Sequence, residues 1–347
     1  ARARIASYGS FVEQLDIILF SAESFEETIA PHVKVIATHS SSPLWYVWDA
    51  LKLVWKKRRE TYDVVTAQDV TETGLVGYLA ARFFQVRFAA QDVGYLFHGE
   101  YYARESWLNR LRARFGHWLV RRADSVRVMS VRSEETLRKL SIPATKIVRF
   151  PFKLDAQFAA HKGSLSEEEQ ALLNHRPYFL IPGRFVHIKR IDLALEAFSG
   201  MIHHPDLLLV LIGQGPLEPM LRERIAHLNL RDRVIIRPWT SALAAWYRGA
   251  SATIITSDRE GYCMTALESL ASGTPVIMTD VGSAPELIQD GVNGYIIPVG
   301  DVERLKERME ETLLHQEKLR AHTRTFTWKP PNVGMKDLFE RAIHSTK

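Results

Sequence analysis

Seven residues lie between Glu260 and Glu268 in the stretch SDREGYCMTALESLASGTPVI, which runs from Ser257 to Ile277, and Gly261 follows the first acid at once. Thr265 to Ser272 reads as a helix, ended by Gly273 and Pro275 in the order expected of a C-terminal stop. The first backbone N–H groups of such a helix lack partners and lie along its dipole, so its start favours a phosphate. Glu268 then sits about one turn inside the helix, where its carboxylate accepts hydrogen bonds from a neutral diol such as a ribose. Glu260 lies outside, on the other side of the phosphate position, where it can hold sugar hydroxyls. Two carboxylates placed this way grip the neutral ends of a molecule whose middle is anionic. Alone, such a pair is ordinary surface decoration, and the reading requires cations for the middle.

Arg184 and Lys189 supply them in IPGRFVHIKRID, directly after the apolar run YFLIP (178–182), with Gly183 permitting a close turn at the strand end. An arginine at the start of the loop grips a diphosphate bidentately, and a lysine at the start of the next helix acts as a point charge. Other signals fall short. GQGP (213–216) follows a strand, but Glu218 stands where the third glycine of a dinucleotide fingerprint belongs. Neither a P-loop nor H-E-x-x-H occurs, and His203-His204 before Pro205 reads as a solvated turn, so no catalytic metal is expected. Cys263 lies beside the acids with no paired base in view, which argues against a nucleophile.

These residues depend on the elements around them. YFLIP, LLLVLIG (207–213), VII (234–236), ATIIT (252–256) and PVIMT (275–279) are short apolar runs without polar alternation, as strands buried on both faces require. Helix-length amphipathic stretches separate them, such as IDLALEAFSGM (191–201) and LEPMLRERIAHL (217–228). Repeated βα units predict a parallel, doubly wound sheet with ligands beyond the carboxyl ends of its strands. The first half is a weaker copy, with strands predicted at 15–20, 33–37, 62–67, 86–91 and 124–130 and a helix at GLVGYLAARFF (74–84). A linker with a short helix follows near Phe150. The opening ARARIASYGSFVEQL reads as a helix with no strand before it, so the N-terminal domain is expected to lack its first strand and loop.

Length and charge agree with two domains. At 347 residues the chain exceeds what one core usually holds, and 46% hydrophobic and 24% charged residues are ordinary globular usage. Residues 1–150 carry 22 Lys/Arg against 16 Asp/Glu, leaving 23 against 24 for the rest, so the basic excess lies in the first half. No apolar run is long enough to span a bilayer, no leader pattern opens the chain, and a single cysteine fits a reducing compartment. A cytoplasmic protein is expected. LWYVWDALKLVWKKRRE (44–60) and WLNRLRARFGHWLVRR (107–122) interleave aromatics with Lys and Arg. One reading is peripheral attachment to an anionic membrane at its inner face; the other is a pair of domain helices with core aromatics and solvated basic faces. No nucleic-acid motif is present.

Together, GRFVHIKRID, LIGQGP, EGYCMTALESLASGTPVI and VGSAPELIQDGVNGYIIP resemble the nucleotide-sugar domain of retaining glycosyltransferases of family 4, with the two acids as their E-x7-E motif. The resemblance is specific over roughly 178–300. It implies two Rossmann-like domains facing across a cleft (the GT-B fold): an acceptor domain over 1–150, a donor domain over 151–330, and a last helix over 333–345 returning to the first. It implies a hexose moved from a UDP- or GDP-sugar, without a cofactor, to a hydroxyl of a glycan or lipid-linked acceptor in polysaccharide biosynthesis. Arg184 and Lys189 would hold the diphosphate, Glu268 the ribose and Glu260 the sugar. Gly183 would sit at the turn, the segment Gly261, Tyr262, Cys263, Met264 and Thr265 would contact sugar and phosphate, and Trp239 and Thr240 would lie near the base. On the acceptor side the family often places a histidine; here Gln91 and Asp92 occupy that neighbourhood and His98 follows. A binding protein without turnover and a GT-B phosphorylase are the alternatives.

Overall fold

A computed structural model describes residues 5–93, 102, 106–160, 163–329 and 331–345. The chain divides into two compact units, one of Ala1–Met129, Ser133–Phe150 and Pro331–Lys347, the other of Ser130–Arg132 and Pro151–Pro330.

In the first unit, β1 (Leu15–Leu19) pairs in parallel with β3 (Val33–Ala37), and β2 (Glu26–Ala30) pairs antiparallel with β3 across a turn in which His32 has φ +65°. A second sheet, wholly parallel, runs β4 (Val64–Ala67), β5 (Arg87–Gln91), β6 (Ser125–Val128) and β7 (Ile147–Arg149) in that order. The opening segment is not the helix expected over its length. Among its described residues, Ile5 and Ala6 are α-helical and Ser7–Ser10 form a 3₁₀ turn, so the helix ends early, at the poor helix formers Ser7, Gly9 and Ser10.

The C-terminal helix Met335–Ile343 belongs to this unit. Its Leu338, Phe339 and Ala342 are buried with Ala89, Val148 and Phe150. Ser125 Oγ donates to the Leu338 carbonyl (2.8 Å), and Arg341 donates to the Ile147 carbonyl (2.6 Å). Asp337 accepts from the Gly334 N–H at the helix start (2.7 Å).

The second unit holds one parallel sheet of six strands: β8 (Tyr178–Pro182), β9 (Leu208–Ile212), β10 (Val234–Arg237), β11 (Ala252–Ile255), β12 (Val276–Thr279) and β13 (Gly294–Ile297). Their order is β10-β9-β8-β11-β12-β13. Alternate side chains feed two cores, Phe179, Ile181, Leu209 and Leu211 on one face, Tyr178, Leu180, Leu208 and Val210 on the other. This double burial is why the strands read as unbroken apolar runs. The connections leave β8 and β11 in opposite directions along the sheet, so the order reverses between these two neighbours, the place where doubly wound sheets open a crevice.

Candidate active site

The loops leaving β8 and β11 line a pocket at that reversal, formed by Gly183 and Arg184, by Lys189 a turn later, by Thr256 and Ser257, and by Thr265 of the next helix. The β8 loop is held by its own backbone. Gly183, with φ +149°, donates to the Ile212 carbonyl (2.9 Å), extending the ladder one residue past the strand. Phe185 donates to the Gln214 carbonyl (3.0 Å) and accepts from the Leu217 N–H (3.1 Å). A Cβ on Gly213 would meet the Gly183 oxygen at 1.8 Å, and one on Gly215 would meet the Phe185 oxygen at 2.4 Å. The glycines of GQGP therefore let two strand-end loops touch backbone to backbone, a role quite different from cradling a dinucleotide.

Lys189 ends a 3₁₀ turn, His187–Lys189, that is tied to the β11 loop. Thr256 Oγ1 donates to the Lys189 carbonyl (2.8 Å) and the Asp258 N–H to the Ile188 carbonyl (2.9 Å). The next residue, Arg190, takes a left-handed conformation (φ +45°) while bonding Asp192 and Asp258. So fixed, the Lys189 ammonium lies 2.6 Å from Glu260 Oε1, which also accepts from Ser257 Oγ (2.7 Å). Burial works against the lysine's charge, but the carboxylate's field and hydrogen bond outweigh it, and its pKa is raised. Arg184 is exposed and forms no ion pair among the described residues.

The helix begins at Met264, one residue earlier than read from the sequence, and runs to Ala271. Its N-cap, Cys263, adopts φ +67° and accepts from the Ala266 N–H (3.1 Å). Burial, then the Glu260 charge, push the Cys263 thiol far up, so it is no nucleophile at neutral pH. The charges of Glu260, Lys189 and Glu268 all act on the thiol; of the three, Lys189 lines the pocket. Glu268 accepts from the Tyr247 hydroxyl (3.1 Å); burial lifts its carboxyl to about 7 although that hydrogen bond acts the other way.

Sequence reasoning did not reach the residues that brace this group. Gly282, φ +53°, follows β12 and lets its loop approach so closely that a Cβ would sit 3.0 Å from Glu260 Cβ. The Ser283 hydroxyl donates to the Tyr262 carbonyl. Ser257, three residues before Glu260 in the same loop, and Tyr247, on the helix Leu243–Gly249, supply the hydroxyl partners. The sequence signal for the β12 loop was a glycine three residues past the strand in TDVGSAPE.

Other candidates lie elsewhere. Trp239, 61% exposed, and Thr240 follow the outermost strand β10 and are not in the pocket lining; Thr240 Oγ1 accepts from the Ala242 N–H (3.1 Å). In the first unit Gln91 is fully buried, its amide donating to Thr66 Oγ1 (2.9 Å) and accepting from Arg127 (2.9 Å). Asp92 is buried beside it, its N–H on the Arg127 carbonyl (2.9 Å). His98 lies outside the described residues. Among the described residues, no group of three or more His, Cys, Asp or Glu could hold a metal ion, and no helix is long and apolar enough to cross a membrane.

Two Rossmann-like domains with a pocket at the strand-order reversal define a GT-B-fold protein. A family model for glycosyl transferases group 1 matches residues 165–326, and one for a glycosyl transferase 4-like domain matches 25–153. The chain is thus related to the family-4-like glycosyltransferases. Its fold is similar to sucrose-phosphate synthase from Thermosynechococcus elongatus (TM-score 0.77, 20% identity, 98% of this chain and 87% of that one). It is also similar to Anabaena Alr3699/HepE in complex with UDP-glucose (TM-score 0.69, 18% identity, 85% and 80%). In sequence it is 28% identical over 169 residues to N-acetyl-alpha-D-glucosaminyl L-malate synthase of Bacillus anthracis, covering 49% of this chain and 42% of that protein. It is 30% identical over 198 residues to the lipopolysaccharide core biosynthesis mannosyltransferase LpsB of Rhizobium meliloti, covering 54% and 55%. The chain spans about half the length of these curated relatives.

Proposed function

We propose that this protein is a retaining hexosyltransferase that takes its sugar from a UDP- or GDP-sugar and passes it to a hydroxyl of a glycan or lipid-linked acceptor, on the cytoplasmic side of a membrane. The observation that carries the reading is the Lys189–Glu260 pair at the β8/β11 reversal, with Arg184, which has no ion pair among the described residues, in the same pocket lining. An ammonium held by a carboxylate on one side has its remaining donors free for a diphosphate on the other, while Glu260 keeps acceptor capacity for sugar hydroxyls. Glu268 takes the ribose, and Trp239 and Thr240 face the base. The first unit receives the acceptor, with Gln91, Asp92 and His98 as its polar candidates.

In this reading the bond between the anomeric carbon and the diphosphate oxygen breaks as negative charge grows on the leaving group. Arg184, Lys189 and Thr265, at the start of the Met264–Ala271 helix, line the pocket, and in this scheme their positive potential stabilises that charge. The acceptor oxygen bonds to the anomeric carbon from the face the diphosphate leaves, and its proton passes to the departing phosphate oxygen. No metal is required in this scheme.

Calorimetry with UDP, GDP and ADP tests the donor site. Binding of one nucleotide, weakened at least ~10-fold in Arg184→Ala, is expected; no binding of any of them overturns the proposal. NMR of the product reads its anomeric configuration, and an inverted product removes the claim of retention.

A further inference from the structure

Ten of the eighteen exposed large apolar side chains among the described residues lie on three neighbouring helices of the first unit and the turn before them. On the helix Tyr46–Lys56, Trp48, Lys52 and Trp55 follow one another at helical spacing, and the preceding turn adds Leu44, 91% exposed, and Trp45. On the helix Trp107–Arg122, Trp107 (72% exposed), Leu111, Arg114 and Trp118 form a second stripe. The helix Glu72–Phe84 lies between them and exposes Leu79 and Phe83. Ring contacts join the three: Trp55 to Phe83 at 5.6 Å, and Trp118 to Tyr78 at 5.3 Å.

The charge on this surface is predominantly positive. Residues 44–59 carry Lys52, Lys56, Lys57, Arg58 and Arg59 against Asp49, and residues 107–122 carry five arginines and no acid. Several cations lie over the exposed rings, Arg122 4.2 Å from the Trp118 centroid and Arg58 5.4 Å from that of Trp55. A stem packed along an indole leaves its charged head at the level of the ring edge. A soluble polyanion would use the cations but leave the tryptophans and Leu44 in water. A second copy of the chain would bring ten cations against ten. A bilayer with anionic headgroups satisfies both features, because indoles favour the headgroup level and Lys and Arg beside them meet the phosphates.

We propose that this three-helix surface docks on an anionic lipid bilayer, Trp48, Trp55 and Trp107 entering the headgroup region and Lys52, Lys56, Arg110 and Arg114 binding lipid phosphate. The inference gives the peripheral membrane contact a defined surface, and it stands without the donor pocket. Flotation of the 347-residue chain with phosphatidylcholine vesicles, with and without phosphatidylglycerol, at low and high salt, tests it. Recovery with the anionic vesicles at low salt, a blue-shifted tryptophan emission and release by high salt are expected. Lys52→Gln/Lys56→Gln/Arg59→Gln and Arg110→Gln/Arg114→Gln/Arg121→Gln should each lower partitioning at least ~10-fold. Trp48→Ser/Trp55→Ser should reduce the blue shift, with circular dichroism confirming that the variants remain folded. The proposal is overturned by no recovery at low salt, by equal binding to neutral vesicles, or by variants that bind as the parent does. It is also overturned if sedimentation without lipid shows a dimer that these substitutions dissociate.

Discussion

Glu268 is a carboxyl whose burial raises its pKa to about 7, against 4.5 for an ordinary glutamate. Below 4.5 it is protonated in both folded and unfolded chains and favours neither. As pH rises from 4.5 toward 7 the unfolded chain releases this proton more readily than the folded one, so its contribution becomes destabilising and levels off above 7. Compared with Glu268→Gln, the parent should therefore lose up to about 3 kcal/mol between those limits. Urea midpoints of the two proteins measured across that range would show it, and parallel curves would refute it. Lys189 and Glu260 behave differently, since each side chain is the other's partner and both are mostly buried. Lys189→Ala leaves the carboxylate without its cation and should cost about 1–3 kcal/mol. Arg184→Ala removes an exposed side chain that has no ion pair among the described residues and should change stability by less than about 0.5 kcal/mol while weakening nucleotide binding.

At the scale of elements, the GQGP loop makes the sharpest prediction. Gly213→Ala places a methyl group 1.8 Å from the Gly183 oxygen, so the β8 and β9 loops must separate. A loss on the order of 2–4 kcal/mol is expected in thermal or urea unfolding. Gly291→Ala, where φ is +72° but no atom lies within 4 Å of the new Cβ, should cost only about 1 kcal/mol of backbone strain. Legibility in the sequence followed burial. β8, buried at every position, was readable residue for residue from YFLIP. β2, whose EETIA is largely exposed at an edge, and the short β13, which opens on a glycine, carried no such pattern and were missed, as was the three-residue β7. The same division runs through the site. Acids and cations in loops after apolar runs stand out by chemistry and position. Tyr247, Gly282 and Ser283 become partners only when separate elements converge, and no local pattern announces that.

For the molecule as a whole, the first unit is built from both ends of the chain. Deleting residues 331–347 strips Leu338, Phe339 and Met335 from the Ala89, Val148 and Phe150 core. The first unit should lose on the order of 5 kcal/mol, while the unfolding transition of the second unit stays in place. Hydrogen exchange resolved by segment would separate the two, with protection falling in β5–β7 but not in β8–β13. A ribosome makes this chain from the amino end, so the strands that emerge early wait uncovered through the whole of the second unit's synthesis. The unit started first is completed only after the second has been made, so its uncovered face stays open to chaperones until the helix Met335–Ile343 emerges.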